Sequence, residues 1–389
     1  MSSKTAMTKS LCFTNGHILT PHGREHSLYV ADGYITSYVP APATETIDLE
    51  DGFLVPGFLD TQVNGGGGVL FNDSPDVQTI AAIGEAHARY GTTGFLPTLI
   101  SDRPEVIDRA MRAVEAAIAA GVAGVLGIHI EGPFIAEARK GIHDPAMFRK
   151  LDAETKALLG SLKSGRTLVT LAPETCTPED IADLAAMGVT VAAGHTDASY
   201  EQVRAALGAG LTGFTHLYNA MSPLQHRSPG AVGAALEDEA SYCGLILDGY
   251  HLHPAAARVA LRCKGPQRLM LVTDAMPTVG ADTDRFLLGD KLITAVDGKC
   301  VDNNGTLAGS ALDMISAVRN AMRDLHIGLE DAVFMAASAP AAFMGVSDMT
   351  GCLKPGLRAD MVWLDREFSV RGVWRNGSRY VSEGSLRAA

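Results

Sequence analysis

The feature that most constrains the fold is a regular alternation of apolar, strand-like runs with amphipathic, helix-like runs, which begins at Phe53. Such alternation is typical of a parallel sheet built from consecutive strand–helix units. Eight units close into a barrel more readily than they form an open sheet, so we expect an α/β protein with a (β/α)8 TIM-like barrel. The predicted strands span residues 54–63, 94–100, 125–131, 167–173, 189–195, 213–217, 243–248 and 269–274. The predicted helices include residues 76–90, 104–120, 177–187, 200–209, 254–263, 311–325 and 329–344.

The two ends of the chain have a different pattern, with short alternating runs separated by turn dipeptides. Asp32-Gly33 near the start and Asn376-Gly377 near the end both favour hairpin turns. We therefore expect residues 1–54 and 350–389 to form a small β-sandwich domain together, and residues 55–349 to form the catalytic barrel. A hairpin-like insertion is also predicted at residues 286–307, after the eighth barrel strand.

Three potential metal ligands fall at the ends of predicted barrel strands. Glu131 ends the third strand, His195 ends the fifth, and His216 lies near the end of the sixth. The carboxyl ends of barrel strands converge on one face, so these side chains should meet there. One carboxylate and two imidazoles suit a zinc-type ion and leave one position for a water molecule that the ion activates. Asp274, at the end of the eighth strand, can take the proton of that water. The pattern predicts a metal-dependent hydrolase.

Composition and charge exclude several other classes. The formal net charge of −12 argues against nucleic acid and anionic membrane surfaces as partners, since both attract basic patches. The six cysteines show no C-x-x-C spacing, which argues against a disulfide framework or a thiolate metal site and favours a cytoplasmic location. The first residues contain no apolar run of signal-peptide length, and no run is long enough for a membrane span. We therefore expect neither secretion nor membrane insertion.

Several longer motifs resemble those of the amidohydrolase superfamily and, within it, those of the N-acetylglucosamine-6-phosphate deacetylase family. The resemblance covers nearly the whole chain, and the motifs together are far more specific than any one of them. They are Pro56-Gly57-Phe58-Leu59-Asp60, Asn64-Gly65-Gly66-Gly67-Gly68, His129-Ile130-Glu131-Gly132-Pro133-Phe134, Ala193-Gly194-His195-Thr196, Thr215-His216-Leu217-Tyr218-Asn219-Ala220-Met221, Asp248-Gly249-Tyr250-His251, Val272-Thr273-Asp274-Ala275, Leu307-Ala308-Gly309-Ser310 and Gly351-Cys352-Leu353-Lys354-Pro355-Gly356.

The resemblance implies a mechanism for these residues. Glu131, His195 and His216 would hold one divalent ion per subunit, with Zn²⁺ first and Fe²⁺, Mn²⁺ or Co²⁺ as alternatives. Asp274 would take a proton from the attacking water and return it to the departing amine, and His143 would polarise the carbonyl group. The implied reaction removes the acetyl group of N-acetyl-D-glucosamine 6-phosphate, giving D-glucosamine 6-phosphate and acetate in amino-sugar catabolism.

The family pattern also implies a phosphate site. It comprises His251, the backbone amides of Asn219 and Ala220, and Arg227, whose guanidinium fork matches phosphate geometry. Arg227 is expected to reach the neighbouring subunit's pocket, so the resemblance implies a homodimer. The implied sugar contacts fall on one backbone segment: Leu307, Ala308 and Gly309.

One motif departs from a common amidohydrolase pattern. Many members carry His-x-His at the end of the first strand and bind a second metal with it, whereas this chain has Gln62-Val63-Asn64. Amides are weaker ligands than imidazoles, so we expect one metal. Nearby, His129 is expected to pack behind the barrel, on the strand face opposite to Glu131, and Glu174 is expected to be a scaffold carboxylate.

Two alternative functions stay open. An N-acetylgalactosamine-6-phosphate deacetylase would differ only in handling the hydroxyl at carbon four, which this sequence cannot distinguish. A non-catalytic sugar-phosphate binding protein would keep the pocket and lose the metal ligands or the proton shuttle. Glu131, His195, His216 and Asp274 are all present, which argues against the second alternative.

Overall fold

The computed structural model describes residues 10–381, so residues 1–9 and 382–389 of the predicted sandwich lie outside the described residues. Short strands open the described chain. They are β1 (Ser10–Thr14), β2 (His17–Thr20), β3 (Gly23–Glu25), β4 (Leu28–Ala31), β5 (Tyr34–Ser37), β6 (Glu45–Asp48) and β7 (Phe53–Pro56). Asp32 and Gly33 both have positive φ, 52° and 83°, as the tight hairpin turn between β4 and β5 requires.

The middle of the chain forms the barrel. Its elements are β8 (Phe58–Val63), a small ribbon of β9 (Gly65–Gly66) and β10 (Val69–Leu70), β11 (Thr92–Ile100), β12 (Gly127–Glu131), β13 (Arg166–Leu171), β14 (Thr190–Ala193), β15 (Gly213–Phe214), β16 (Tyr242–Leu245) and β17 (Leu269–Leu271). Within residues 58–271, β8 and β11–β17 form an eight-stranded parallel sheet in sequence order. The sheet closes beyond its strand ends, where the Asp274 N–H donates to the Gln62 carbonyl at 3.0 Å and the Asn64 N–H donates to the Ala275 carbonyl at 2.9 Å. The predicted barrel is confirmed.

Helices cover the outside of the barrel. They are α1 (Val77–Ala88), α2 (Pro104–Ala119), α3 (Ala153–Leu159), α4 (Pro178–Ala186), α5 (Tyr200–Gly208), α6 (Gly230–Glu237), α7 (Pro254–Lys264), α8 (Met314–Leu325), α9 (Leu329–Val333) and α10 (Ala339–Phe343). Side chains cap several N-termini: Asp76 accepts from the Thr79 N–H, and Ser199 forms a capping box with Gln202. The predictions omitted α3 and α6. Helix α6 is buried at almost every position, so it lacks the two-faced pattern that marks a surface helix.

The predicted first strand, residues 54–63, is wrong as a single element. The chain forms two strands in different sheets, β7 and β8, separated by Gly57. A β-carbon on Gly57 would lie 2.1 Å from Thr93 Oγ1, so only glycine allows the chain to pass so close to β11. The break lets one run of sequence join the barrel to its neighbouring sheet.

A separate four-stranded sheet, the insertion sheet, follows the barrel at the position of the predicted insertion. It contains β18 (Arg285–Leu288), β19 (Lys291–Val296), β20 (Lys299–Val301) and β21 (Leu307–Ser310), paired antiparallel in sequence order. An isolated bridge between Ala275 and Ser310 attaches the sheet to the segment after β17. The insertion therefore stands beside the carboxyl ends of the barrel strands.

The C-terminal strands are β22 (Met361–Leu364), β23 (Val370–Arg375) and β24 (Ser378–Val381). Among residues 10–381, they join β7, β2 and β3 in a six-stranded sheet, while β5, β4, β1 and β6 form a second sheet of four. Phe13 and Trp374 meet edge to face in the core between these sheets, with ring centroids 5.0 Å apart. The predicted small β-domain, built from both ends of the chain, is confirmed.

One buried cation ties the small β-domain to the barrel. The Arg375 guanidinium donates to the carbonyl oxygens of Gly84, Thr92 and Ala123, at 2.7–3.2 Å. Its charge is thus satisfied by backbone dipoles, without a carboxylate among these partners.

No helix within residues 10–381 is long and apolar enough to cross a bilayer.

Candidate active site

Three potential metal ligands meet at the carboxyl end of the barrel. Glu131 is the last residue of β12, while His195 and His216 each lie two residues beyond the ends of β14 and β15. Glu131 Oε1 is 2.9 Å from His216 Nε2 and 3.2 Å from His195 Nε2, and the two Nε2 atoms are 3.1 Å apart. All three residues are buried, and one ligand atom from each lies within 4.8 Å of the others. The structure therefore brings the whole predicted ligand set together.

The strands end earlier than the sequence pattern predicts because the chain turns sharply before the functional side chains. His195, His216 and Asp274 have positive φ values of 49°, 34° and 52°. This left-handed backbone is unusual for residues other than glycine and costs about 1–3 kcal/mol per residue. At each of these positions the strand pattern stops and the side chain points over the barrel mouth, towards the cavity.

A hydrogen bond orients His195 for a cation. The Nδ1–H of His195 donates to the Arg139 carbonyl at 2.9 Å, so its Nε2 presents a lone pair towards Glu131. His216 Nδ1 is buried without a hydrogen-bond partner among the described residues. A carboxylate oxygen and two imidazole nitrogens, packed this closely in a buried place, fit the donor set of a divalent ion.

Asp274 faces this cluster from the end of the barrel. Its Oδ1 accepts hydrogen bonds from Asn64 Nδ2 at 2.6 Å and from Gln62 Nε2 at 3.1 Å. Gln62 Nε2 also lies 3.3 Å from both carboxylate oxygens of Glu131. Burial, and then the nearby charge of Glu131, raises the pKa of Asp274 to about 6. This carboxyl group can therefore both accept and return a proton close to neutral pH.

His143 lies in the loop that follows β12 and is buried beside the cluster. Its ring centroid is 4.4 Å from that of His195. The Ser101 hydroxyl lies 2.7 Å from His143 Nδ1, and the Ser101 backbone N–H donates to the same nitrogen at 3.4 Å. Burial, and then the proximity of His195, lowers the pKa of His143 to about 3. The ring is thus neutral, with Nδ1 as acceptor and its proton on Nε2, which is the donor that a carbonyl oxygen needs.

A cavity of about 370 Å³ joins these groups to the remaining predicted residues. Its lining contains His143, Asn219, Ala220, His251, Leu307 and Gly309. The Nδ1–H of His251 donates to Asp248 Oδ2 at 2.6 Å, which leaves His251 Nε2 for a ligand. Ala308 does not line this cavity, and its side chain is buried in the core of the insertion. Arg227 is exposed on the loop before α6 and does not line the cavity.

Sequence reasoning missed several neighbours of the reacting groups. Ile100, Ile142, Met276 and Thr306 also line the cavity, and Ser101 orients His143. These residues lie in loops or at the last position of a strand, where no periodic pattern points to a site. Spatial proximity alone identifies them.

The prediction for His129 is wrong. Residues two apart on a strand share a face, so His129 points into the barrel like Glu131. Its Nε2 lies 2.7 Å from Thr170 Oγ1 and its Nδ1 lies 3.3 Å from Thr98 Oγ1, directly below the cluster. Glu174, as predicted, has scaffold contacts: it accepts hydrogen bonds from the Thr196 hydroxyl and the Asp197 N–H.

A closed parallel barrel with a buried Glu–His–His cluster and a facing carboxylate defines a class of metal-dependent hydrolases. The sequence pattern of the amidohydrolase family matches residues 53–379, and the chain belongs to that family.

Three relatives illustrate where it stands within the family. N-acetylgalactosamine-6-phosphate deacetylase of Shewanella sp. is 45% identical over 360 residues, with 91% of each chain covered. N-acetylglucosamine-6-phosphate deacetylase of Haemophilus influenzae is 33% identical over 381 residues, covering 96% of this chain and 98% of that one. The crystal structure of N-acetylglucosamine-6-phosphate deacetylase from Pasteurella multocida superposes with a TM-score of 0.91 at 34% identity, covering 95% and 99%.

Proposed function

We propose that this hydrolase removes the acetyl group of N-acetyl-D-glucosamine 6-phosphate, giving D-glucosamine 6-phosphate and acetate in the cytoplasmic catabolism of amino sugars. The observation that carries the proposal is one cavity that combines the Glu131, His195 and His216 cluster with Asp274 and His143. The names of the relatives suggest the substrate class, since all three describe deacetylases of N-acetylhexosamine 6-phosphates.

We assign one divalent ion per subunit to Glu131, His195 and His216, with Zn²⁺ first and Fe²⁺, Mn²⁺ or Co²⁺ as alternatives. When bound, such an ion polarises the acetyl carbonyl and lowers the pKa of water towards neutrality. A second ion is not expected, because the amide N–H groups of Gln62 and Asn64 already donate to the neighbouring carboxylates.

The proton transfers are assigned to Asp274. In its ionised form it accepts a proton from the water that attacks the acetyl carbon, and Gln62 and Asn64 hold its Oδ1 in place. It then gives that proton to the sugar nitrogen, because an amine leaves far more readily than an amide anion. His143 donates its Nε2–H to the carbonyl oxygen as negative charge develops there.

The phosphate is assigned to the wall of the cavity that lies across the barrel mouth from His143. His251 presents Nε2 there, and the Ala220 backbone N–H has no hydrogen-bond partner among the described residues. The Asn219 backbone N–H donates to the His216 carbonyl at 3.0 Å, so it must leave that bond before it can bind phosphate. Arg227, exposed outside this cavity, would complete the site of a neighbouring subunit in a homodimer.

The sugar ring is assigned to the backbone of Leu307, Ala308 and Gly309, which closes the cavity beside Asp274. Gly309 has a φ of 61°, and a β-carbon there would lie 2.6 Å from the Met276 side chain. Glycine therefore lets the backbone approach the cavity closely.

A second candidate is the galacto epimer of the substrate. The Shewanella relative, at 45% identity, bears the name of an N-acetylgalactosamine-6-phosphate deacetylase. Parallel kcat/KM measurements on the two epimers decide between them, and a clear preference for the galacto sugar would replace the first candidate.

The experiment that tests the function is acetate release from N-acetylglucosamine 6-phosphate, measured before chelation, after chelation and after restoration of zinc, with metal counted per chain. We expect chelation to abolish release, zinc to restore it, and about one metal per chain in the active form. Binding of the sugar phosphate without acetate release from either epimer by metal-loaded protein would instead support a non-catalytic binding protein.

A further inference from the structure

Two isoleucines at the edge of the cavity have no part in the proposed chemistry. Ile100 is the last residue of β11, and Ile142 lies in the loop after β12, next to His143. Both are half-buried, and both line the cavity. On their other side they pack against the apolar core of the insertion sheet, which includes Leu288 and Ile293. Parts of the chain far apart in sequence thus build one apolar wall beside the reacting groups.

A second cavity, of about 600 Å³, lies behind this wall. Ile100, Ile142 and His143 line both cavities, so these side chains form the partition between them. Leu70 and Leu288 add to the apolar lining of the second cavity, whereas the rest of that cavity is largely polar and includes Asp102, Lys140 and Asp290. Shortening either isoleucine would therefore open space that is already present, rather than create a hole in a packed core.

The order of the strands places the acyl group against this wall. The groups assigned to phosphate follow β15 and β16, the sixth and seventh barrel strands, whereas Ile100 and Ile142 belong to the second and third. These positions are across the barrel mouth from each other, with the Glu131 cluster between them. An acetamide carries its sugar on nitrogen and its methyl group on the carbonyl carbon. With the sugar on the phosphate side, the methyl group faces the isoleucines.

We propose that Ile100 and Ile142 form the acyl subsite and limit the enzyme to the acetyl group. This inference rests on the proposed function and adds a specificity determinant to it. Each extra methylene that meets the wall lowers kcat/KM by about 10- to 200-fold, the usual effect of one methylene in a hydrophobic pocket. The neighbouring cavity accepts longer acyl chains once the wall is shortened.

The test compares kcat/KM for the N-acetyl, N-propanoyl and N-butanoyl forms of glucosamine 6-phosphate, using zinc-loaded full-length protein. We expect the wild type to prefer acetyl over butanoyl by more than about 100-fold, and Ile142→Ala and Ile100→Ala each to reduce that ratio at least about tenfold. Ile142→Leu, which conserves volume, and Leu287→Ala, which shortens an exposed residue of the same insertion, should keep the wild-type ratio.

The two alanine variants change different elements of the fold. If one of them misfolds, which a loss of zinc content would reveal, the other still tests the role of the wall. A wild type that hydrolyses butanoyl as fast as acetyl substrate would overturn the proposal, as would unchanged ratios in folded alanine variants. No acetate release from the N-acetyl substrate by wild type would contradict the proposed function itself, and the acyl subsite with it.

Discussion

The reaction centre and the substrate rim of this cavity are built in different ways. Glu131, His195, His216 and Asp274 are at most 9% exposed, stand at barrel strand ends, and lie within hydrogen-bonding networks of the interior. The rim consists of loops and of the insertion sheet, and Arg227 stands exposed outside the cavity. In the proposed mechanism, the chemistry therefore belongs to the buried barrel of one chain. Recognition is assigned to peripheral segments and, through Arg227 in the proposed homodimer, to a second chain.

The largest effect expected at the reaction centre is that of Asp274→Asn. Asparagine keeps an oxygen for the hydrogen bonds from Gln62 and Asn64, and it cannot carry a proton between water and the leaving amine. We expect kcat to fall by about 10³- to 10⁴-fold, with binding of the sugar phosphate and metal content unchanged. Single-turnover kinetics measure the rate of acetate release, and calorimetry measures binding of the sugar phosphate. Turnover near the wild-type rate would refute the role of Asp274.

His143→Leu should have the next largest effect. It removes the carbonyl donor and leaves the metal ligands intact, so kcat should fall by about 10²- to 10³-fold with zinc content unchanged. Ser101→Ala is the matched control, because it removes the hydroxyl that holds His143 Nδ1 and keeps the imidazole. A smaller loss, about tenfold, is expected there. Equal losses in both variants would indicate that His143 is structural.

The same contrast between core and periphery decides what the sequence could predict. The strand–helix alternation predicted the barrel, and the barrel placed Glu131, His195 and His216 on one face, because strand ends converge. The prediction for His129 was wrong because residues two apart on a strand share a face. Applied correctly, this period places His129 inside the barrel, on the same face as Glu131. Ile142 could not be predicted, since it lies in an irregular loop and its neighbours come from the distant insertion sheet.

Arg227→Ala tests whether recognition at the rim depends on the second chain. Loss of a charged contact to phosphate should lower kcat/KM by about 10- to 100-fold, mostly through KM, because the reacting groups are unchanged. Arg262→Ala is a suitable control, since it removes another exposed cation, on the outer helix α7.

Mixing subunits sharpens this test. A hybrid of an Arg227→Ala subunit with an Asp274→Asn subunit has one site that contains both native residues, provided that Arg227 acts across the interface. Random pairing should then restore about a quarter of wild-type activity. A mixture no more active than the Arg227→Ala protein present in it would show that Arg227 acts within its own chain or not at all.

The smallest effect concerns the layer below the reaction centre, where Asp60 is buried and accepts hydrogen bonds from the Thr273 hydroxyl and the Gln62 N–H. Burial raises the pKa of Asp60 to about 7 from an ordinary value of 3.8. Between about pH 4 and pH 7 the folded protein therefore holds a proton that the unfolded chain releases, and stability falls as pH rises through this window.

Asp60→Asn cannot ionise, so its Tm should decline less from pH 5 to pH 8 than that of the wild type. The expected difference is about 2 °C for each 1 kcal/mol involved, measured by thermal unfolding of both proteins in the zinc-loaded form. Parallel pH profiles of the two proteins would show that Asp60 is ionised in the folded state. The buried layer below the reaction centre would then carry a negative charge of its own, in addition to that of Glu131.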